Sequence, residues 1–175
     1  MDVNGKLTDT TVLVVDATAA SRYAIGSVLR RAGHEVVAVT GGRAALGELD
    51  VRRRKGNLPD VALIDVHLPD MSGFELCRRL KERPHMAGLP VVHFSALSVV
   101  PADRCPGLDS GAEAYLTVPA EPEDIEAAVR AAVRAARLRA DDQALVRRLR
   151  LLSETIVTIQ AARSLQELAD AAADG

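Results

Sequence analysis

Two acidic side chains and one hydroxyl stand directly after short apolar segments of the chain. Asp16, Asp65 and Ser95 each follow a run rich in branched aliphatic residues. A pair of carboxylates can bind Mg²⁺, which prefers oxygen ligands and keeps several waters. A carboxylate beside a cation and a hydroxyl can accept a phosphoryl group, because the cation and the donors offset charge on the transferring oxygens. A single aspartate there is more often a turn or helix-cap residue, but Asp16 and Asp65 together favour a site.

These residues need a sheet that brings strand ends together, and the first 130 residues predict one. Short apolar runs typical of buried parallel strands occupy Thr11–Val15, Glu35–Val39, Asp60–Ile64, Leu89–Phe94 and Ala114–Thr117. Helical patterns lie between them at Ala19–Arg31, Gly42–Arg54 and Ser72–Arg83. The alternation predicts an α/β fold, a doubly wound five-stranded parallel sheet with helices on both faces. In such sheets the functional crevice lies beyond the carboxyl ends of the strands.

The connection between Leu97 and Gly111 predicts a short or broken helix. Pro106 and Gly107 are poorly tolerated inside a helix. From Glu121 onward the pattern is helical almost to the end of the sequence. Ser164 and Glu167 form a possible capping box that would start another helix there, and the end of the sequence reads as a cut rather than a natural finish.

An apolar seam runs along this C-terminal region with the 7-4-3-4-3 spacing of a heptad repeat. Its members are Leu138, Leu145, Leu149, Leu152, Ile156 and Ile159. One interpretation is an extended final helix that packs back on its own domain. The other, which the length of the seam favours, is a parallel two-helix coil that forms a homodimer and passes a change downstream.

Composition excludes several classes of function. The 175 residues are 48% hydrophobic and carry a net charge of −2, so the chain is globular and has no general basic field for nucleic acid. No apolar run approaches the ~20 residues of a membrane helix. Aromatic residues make up 2%, which disfavours base-stacking surfaces. The two cysteines lack metal-ligand spacing, so we expect them to be reduced in a cytoplasmic protein. We expect residues 1–9 to be disordered or flexible.

Four motifs carry a resemblance to a known family. They are VLVVDATAASR with Asp16, LIDVHLPDMSGFEL with Asp65, VVHFSA with Ser95, and GAEAYLTVP with Tyr115 and Pro119. Residues 10–136 resemble the receiver domain of two-component response regulators, a phosphorylatable flavodoxin-like module. Residues 137–175 would then be a helical linker or coiled coil, and the segment from Leu151 also resembles the entry helices of GAF-type sensory domains.

The resemblance implies a role for each matching residue. Asp65 would be the phosphoacceptor, Asp16 part of the acidic pocket, Ser95 the switch hydroxyl and Tyr115 the aromatic side chain that swings inward. The partner would be a histidine kinase or an intramolecular phosphodonor, with no direct contact to nucleic acid or membrane. The domain itself would be regulatory rather than an enzyme.

The same resemblance implies a magnesium site and a cis peptide bond. Mg²⁺ would bind Asp16, Asp65 and the backbone carbonyl of His67, and Pro119 would follow a cis bond. The side chain of His67 either overhangs the pocket or is an ordinary exposed loop residue. His93 is expected to pack inside the fourth strand.

Two positions depart from the family pattern. Ala17 stands where the family has a second acidic residue that ligates Mg²⁺, and Val118 stands where it has a lysine that pairs with phosphoryl oxygens. We therefore expect weak binding of Mg²⁺, slow phosphotransfer and weakened coupling to the switch. These departures keep open a second hypothesis, a phosphorylation-independent pseudo-receiver that serves for dimerisation and docking. A flavin or phosphatase domain of the same fold is disfavoured, because no phosphate-cradling loop follows the first strand.

Overall fold

The computed structural model of the protein describes the backbone of residues 10–95 and 111–173 and the side chains of residues 10–95 and 111–155. The chain divides into two compact units, one ending at Ala136 and the other beginning at Arg137. The expectations for residues 1–9 and for most of the segment between Leu97 and Gly111 lie outside the described residues.

Five strands form one parallel sheet. The strands are β1 (Thr11–Val15), β2 (Glu35–Val39), β3 (Val61–Asp65), β4 (Val91–Ser95) and β5 (Ala114–Thr117). The described helices are α1 (Ala19–Arg31), α2 (Gly42–Lys55), α3 (Gly73–Lys81) and α4 (Pro122–Ala173). The strand order is β2-β1-β3-β4-β5, with every pairing parallel. The predicted fold class, a doubly wound sheet with a long C-terminal helix, is confirmed.

Side chains alternate between the two faces of the sheet, as the period of two in a strand requires. Val12 and Val14 of β1 belong to a buried cluster with residues of α1 and of the first turns of α4. Leu13 and Val15 belong to a second cluster with residues of α2 and α3. All four are fully buried. Strands buried on both faces must be apolar throughout, which explains why the sequence shows continuous apolar runs rather than polar alternation.

Two strands begin later than the sequence pattern predicts. The side chain of Asp60 accepts a hydrogen bond from the Thr11 N–H at 2.9 Å, and β3 starts only at Val61. Pro90 has no N–H to contribute to a ladder, and β4 starts after it, at Val91.

Helix ends also differ from the prediction. α2 ends at Lys55 rather than Arg54, and α3 begins at Gly73 rather than Ser72, which is its N-cap. α3 ends at Lys81 rather than Arg83, because the residue before Pro84 is biased away from helical backbone angles. The predicted new helix at Ser164 is wrong, since α4 continues without a break from Pro122 to Ala173. A serine costs only a fraction of a kcal/mol inside a helix, so a capping-box pattern does not by itself end the preceding helix.

Candidate functional site

Asp16 lies directly after β1 and is 1% exposed. Its carboxylate Oδ1 accepts a hydrogen bond from the Thr18 N–H at 2.7 Å, which closes the loop into α1. The next residue, Ala17, is exposed and contributes no side-chain oxygen. The structure therefore gives Asp16 the turn contact expected of a strand-end aspartate. Because Val15 pairs with Ile64 in the sheet, Asp16 follows β1 at the level of Asp65.

Asp65 ends β3, and its side chain is half-buried. Burial raises the pKa of the Asp65 carboxyl, and the nearby Asp16 carboxylate raises it further. The His67 backbone N–H donates a hydrogen bond to Asp65 Oδ1 at 3.2 Å and opposes that rise. Asp16 and Asp65 thus form an acidic pair whose mutual repulsion a cation would relieve.

The donor set is small for a metal site. Over residues 10–95 and 111–155, no three His, Cys, Asp or Glu side chains are grouped so that they could hold a metal ion. The two carboxylates of Asp16 and Asp65 and the backbone carbonyl of His67 are all hard oxygen donors. Mg²⁺ is commonly held by one or two carboxylates and completes its octahedron with waters. The chemistry of these donors suits Mg²⁺, and Ala17 adds no side-chain oxygen to them.

Ser95 ends β4 and is fully buried. Asp65 pairs with Phe94 in the sheet, so Ser95 lies one residue beyond the partner of Asp65 at the same edge. The Ser95 Oγ is 3.5 Å from Nδ1 of His67, whose side chain is otherwise exposed. Of the two interpretations of His67, this contact favours a side chain that reaches over the edge of the site.

Tyr115 lies on β5 beside His93 of β4. Its hydroxyl oxygen is buried, so in this structure the side chain points inward. The peptide bond between Val118 and Pro119 is cis. His93 is fully buried, in agreement with the expectation that it packs within the strand.

Val118 faces an apolar environment. It packs against the core cluster shared by α1 and α4 and lines a cavity of about 310 Å³ with Ala24, Ile25 and Val28. A valine in this place offers no positive charge to an anion at Asp65. In this structure the Val118 side chain therefore takes part in apolar packing.

Asp70 is a residue whose role the sequence analysis missed. Its carboxylate accepts hydrogen bonds from the N–H groups of Gly42 at 2.9 Å and Arg43 at 2.8 Å, and so caps the start of α2. These bonds lower the pKa of the Asp70 carboxyl. A Cβ at Gly42 would lie 2.5 Å from the sulfur of Met71, so a larger residue there would require the methionine side chain to move. Contacts across 27 or 28 residues leave no local sequence signal.

Gly73 closes the loop that follows Asp65. Its N–H donates to the Val66 carbonyl at 2.9 Å, and His67 and Ser72 form an isolated bridge across the loop. The Ser72 Oγ accepts from the Glu75 N–H and caps α3. A Cβ at Gly73 would lie 2.3 Å from the Asp65 carbonyl oxygen, so only glycine allows the helix to approach so closely.

Comparison with known proteins decides the family. A model of the response regulator receiver domain matches residues 12–130. The chain belongs to this family. The matching part is therefore a receiver domain of two-component signalling, a regulatory class of domain rather than a catalytic one.

The relatives of this receiver chain differ in sequence identity and in the fraction of their length that the chain covers. It is 35% identical over 125 residues to the sensory transduction protein RegX3 of Mycobacterium tuberculosis, covering 71% of this chain and 51% of that protein. It is 38% identical over 105 residues to a gliding motility regulatory protein of Myxococcus xanthus, covering 60% of this chain and 13% of that protein. The chain thus spans about half or less of these relatives.

A solved structure shares the receiver fold. The signal receiver domain of a signal transduction histidine kinase from Syntrophus aciditrophicus superposes with a TM-score of 0.62 at 28% identity. The match covers 72% of this chain and 91% of that one.

Proposed function

We propose that this chain is an atypical receiver that accepts a phosphoryl group on Asp65 and relays the change through α4 to a downstream domain. The observation that supports it best is the acidic pair, in which Asp65 and the buried Asp16 interact electrostatically at the sheet edge where Ser95 also ends its strand. A histidine kinase or an intramolecular phosphodonor would supply the phosphoryl group. We also propose that the downstream domain is of GAF type. The proposal includes a cytoplasmic location for the protein.

In this proposal an oxygen of the Asp65 carboxylate attacks the phosphorus, and the bond to the donor imidazole nitrogen breaks. The His67 N–H holds the carboxylate in position for the attack. When bound at Asp16, Asp65 and the His67 carbonyl, Mg²⁺ would offset negative charge on the transferring oxygens. The product carries up to about two negative charges, which Ser95 and Tyr115 would sense at the carboxyl edge.

An NMR titration with beryllofluoride and Mg²⁺ tests the proposal, because beryllofluoride mimics a phosphoryl group on a carboxylate. We expect amide shifts around Asp65, Ser95 and Tyr115 that disappear in Asp65→Asn. That variant should fold well: a raised pKa means that the ionised carboxylate costs stability at neutral pH, and asparagine removes this cost.

The opposite outcome supports the second candidate function. If millimolar Mg²⁺ and beryllofluoride cause no shift that depends on Asp65, phosphoacceptor switching is wrong for this chain. The apolar packing of Val118 and the absence of a side-chain oxygen at Ala17 favour the pseudo-receiver in that case.

Introducing the missing charge should strengthen the site. We expect Val118→Lys to raise the affinity for beryllofluoride by about 10- to 100-fold, since a hydrogen bond to a charged group contributes about 1.5–3 kcal/mol. Titration calorimetry or NMR would measure the change. Ala120→Lys adds the same charge to the same loop and serves as the control, because Ala120 also lines the cavity. Equal gains in both variants would mean that only the net charge of the loop matters.

We also propose a homodimer through the second unit of the chain. The seam leucines are exposed in the single chain, with Leu138 at 60%, Leu145 and Leu149 at 57% and Leu152 at 54%. The remaining seam members, Ile156 and Ile159, belong to the part of α4 whose side chains lie outside the described residues. A heptad seam is complementary to a copy of itself, which supports a second copy of this chain as the partner.

Charge in the seam should dissociate this dimer. We expect the double variant Leu149→Glu with Leu152→Glu to weaken dimerisation by at least about 100-fold, because each Leu contributes about 1.5–3 kcal/mol of burial in each subunit. Sedimentation equilibrium of the full chain would measure it. Leu151→Glu is the control, since Leu151 is 59% exposed but does not belong to the heptad seam. A wild-type chain that stays monomeric at 100 μM would contradict the proposal.

A further inference from the structure

Arg22 of α1 is hydrogen-bonded to the loop that carries Asp16. Nη1 of Arg22 donates hydrogen bonds to the backbone carbonyl oxygens of Asp16 at 2.7 Å and of Ala17 at 3.0 Å. The Arg22 N–H donates to the Thr18 carbonyl at 3.0 Å within the first turn of α1. The Arg22 side chain therefore holds two consecutive residues of the loop, Asp16 and Ala17, through their backbone oxygens, while the bond to Thr18 is the ordinary helical bond of its backbone.

These hydrogen bonds limit where the Asp16 carboxylate can lie. Arg22 fixes the peptide carbonyl of Asp16, while the Thr18 N–H fixes Oδ1 of its side chain at 2.7 Å. Asp16 is buried, so its carboxylate has little room to move. Because Ala17 supplies no oxygen, Asp16 is the only described acidic side chain in this loop that can pair with Asp65.

The alternative is that Arg22 acts through its charge. A guanidinium near the site would disfavour a cation and favour an anion. The charged neighbours that most affect the Asp65 carboxyl are Asp16 and His67. The guanidinium of Arg22 donates both of these bonds from Nη1 to backbone carbonyls, and the two hydrogens of that nitrogen can serve two oxygens at once.

We propose that Arg22 is a positioning residue that holds the loop after β1 so that the Asp16 carboxylate stays beside Asp65. This inference rests on the proposed function, in which Asp16 and Asp65 bind Mg²⁺ beside the phosphoacceptor. Loss of Arg22 would then weaken cation binding, because the Asp16 carboxylate would lose its position. A charge effect would have the opposite sign, since removal of a positive charge would strengthen cation binding.

The test compares Arg22→Ala, Arg22→Lys and Arg31→Ala in the full chain. Without Mg²⁺, we expect Arg22→Ala to speed hydrogen exchange of the Thr18 amide by about three- to tenfold, the factor that corresponds to one ordinary hydrogen bond. With Mg²⁺, the same variant should bind the ion about three- to tenfold more weakly by NMR titration. Arg22→Lys should recover most of both losses, because an ammonium can donate to the two carbonyls.

Arg31→Ala is the matched control, since it removes the same charge from an exposed position in the last turn of α1. The inference is wrong if Arg22→Ala leaves the Thr18 amide unchanged, or if it tightens Mg²⁺ binding, as a charge effect would. If the wild-type chain shows no Asp65-dependent response to Mg²⁺, the proposed function fails, while the Thr18 amide still decides whether Arg22 positions the loop. If Arg22→Ala does not fold, Arg22→Met takes its place, since methionine keeps an apolar stem but cannot donate to the two carbonyls. A loss with Arg22→Lys as large as the loss with methionine overturns the inference.

Discussion

Acidification from pH 6.5 to pH 4 is expected to remove about 3 kcal/mol of unfolding free energy through His93 alone. Burial lowers the pKa of the His93 imidazole to about 4 from its ordinary 6.5, against a weaker opposing hydrogen bond to the Ile64 backbone. The ring is fully buried and meets Phe74 edge-on, with ring centroids 4.9 Å apart. Above pH 6.5 the side chain is neutral in both states. Below it, the unfolded chain takes up a proton that the folded chain refuses, so stability falls until about pH 4.

Urea unfolding at several pH values between 7.5 and 4 would measure this loss. Carboxylates also titrate in this range, so the quantity to compare is the difference between the wild type and His93→Gln, which cannot gain a proton. We expect the pH dependence of His93→Gln to be shallower by about 3 kcal/mol over the full range. His85→Gln, which removes a histidine from an exposed position, serves as the control. Parallel curves for the wild type and His93→Gln would contradict the prediction. His34, whose pKa is also lowered by burial, would add in the same direction.

Gly73→Ala is expected to lower the free energy of unfolding by about 3 kcal/mol. The added methyl group would lie 2.3 Å from the Asp65 carbonyl oxygen and 3.0 Å from the Val66 Cα, and both are backbone atoms that cannot rotate away. Either α3 moves outward or the end of β3 shifts. The second change would displace Asp65, so beryllofluoride binding should weaken together with stability.

Gly47→Ala provides the control for this substitution. Gly47 lies inside α2, and a Cβ there would meet nothing within 4 Å. Alanine should therefore stabilise the helix by about 0.5–1 kcal/mol. Thermal or urea unfolding of both variants would show shifts of opposite sign. If Gly73→Ala were as stable as the wild type, the close approach of α3 to Asp65 would not be a constraint on the sequence.

The central strands β1, β3 and β4 were predictable because burial on both faces forces uninterrupted apolar segments. The edge strands β2 and β5 are only partly buried and were indicated by short runs rich in β-branched or aromatic residues. β1, β2 and β5 have the predicted bounds, and β3 and β4 begin later because of Asp60 and Pro90. These two residues act through a side-chain hydrogen bond and a missing N–H, which hydrophobicity does not report. Ser164 shows the reverse error, a local capping signal that the continuous helix α4 overrides.

The site was predictable only as a set of residue types at one edge of the sheet. The sequence named Asp16, Asp65 and Ser95, but it could not show that Asp16 also closes a turn with Thr18. Nor could it show that Val118 packs into an apolar cavity. Each of these facts depends on the direction of a side chain, which periodicity does not determine.

The Asp70 carboxylate has a consequence for local unfolding. It sits in the loop after β3, yet the amides it binds belong to Gly42 and Arg43 at the start of α2. If that loop opens, α2 loses its cap at the same moment, so the two segments should open as one cooperative unit. A ligand that orders the loop would then slow hydrogen exchange in the first turn of α2, a helix that shares no residue with the acidic pair. Ligand binding at Asp65 should therefore change hydrogen exchange at the start of α2 through the Asp70 carboxylate.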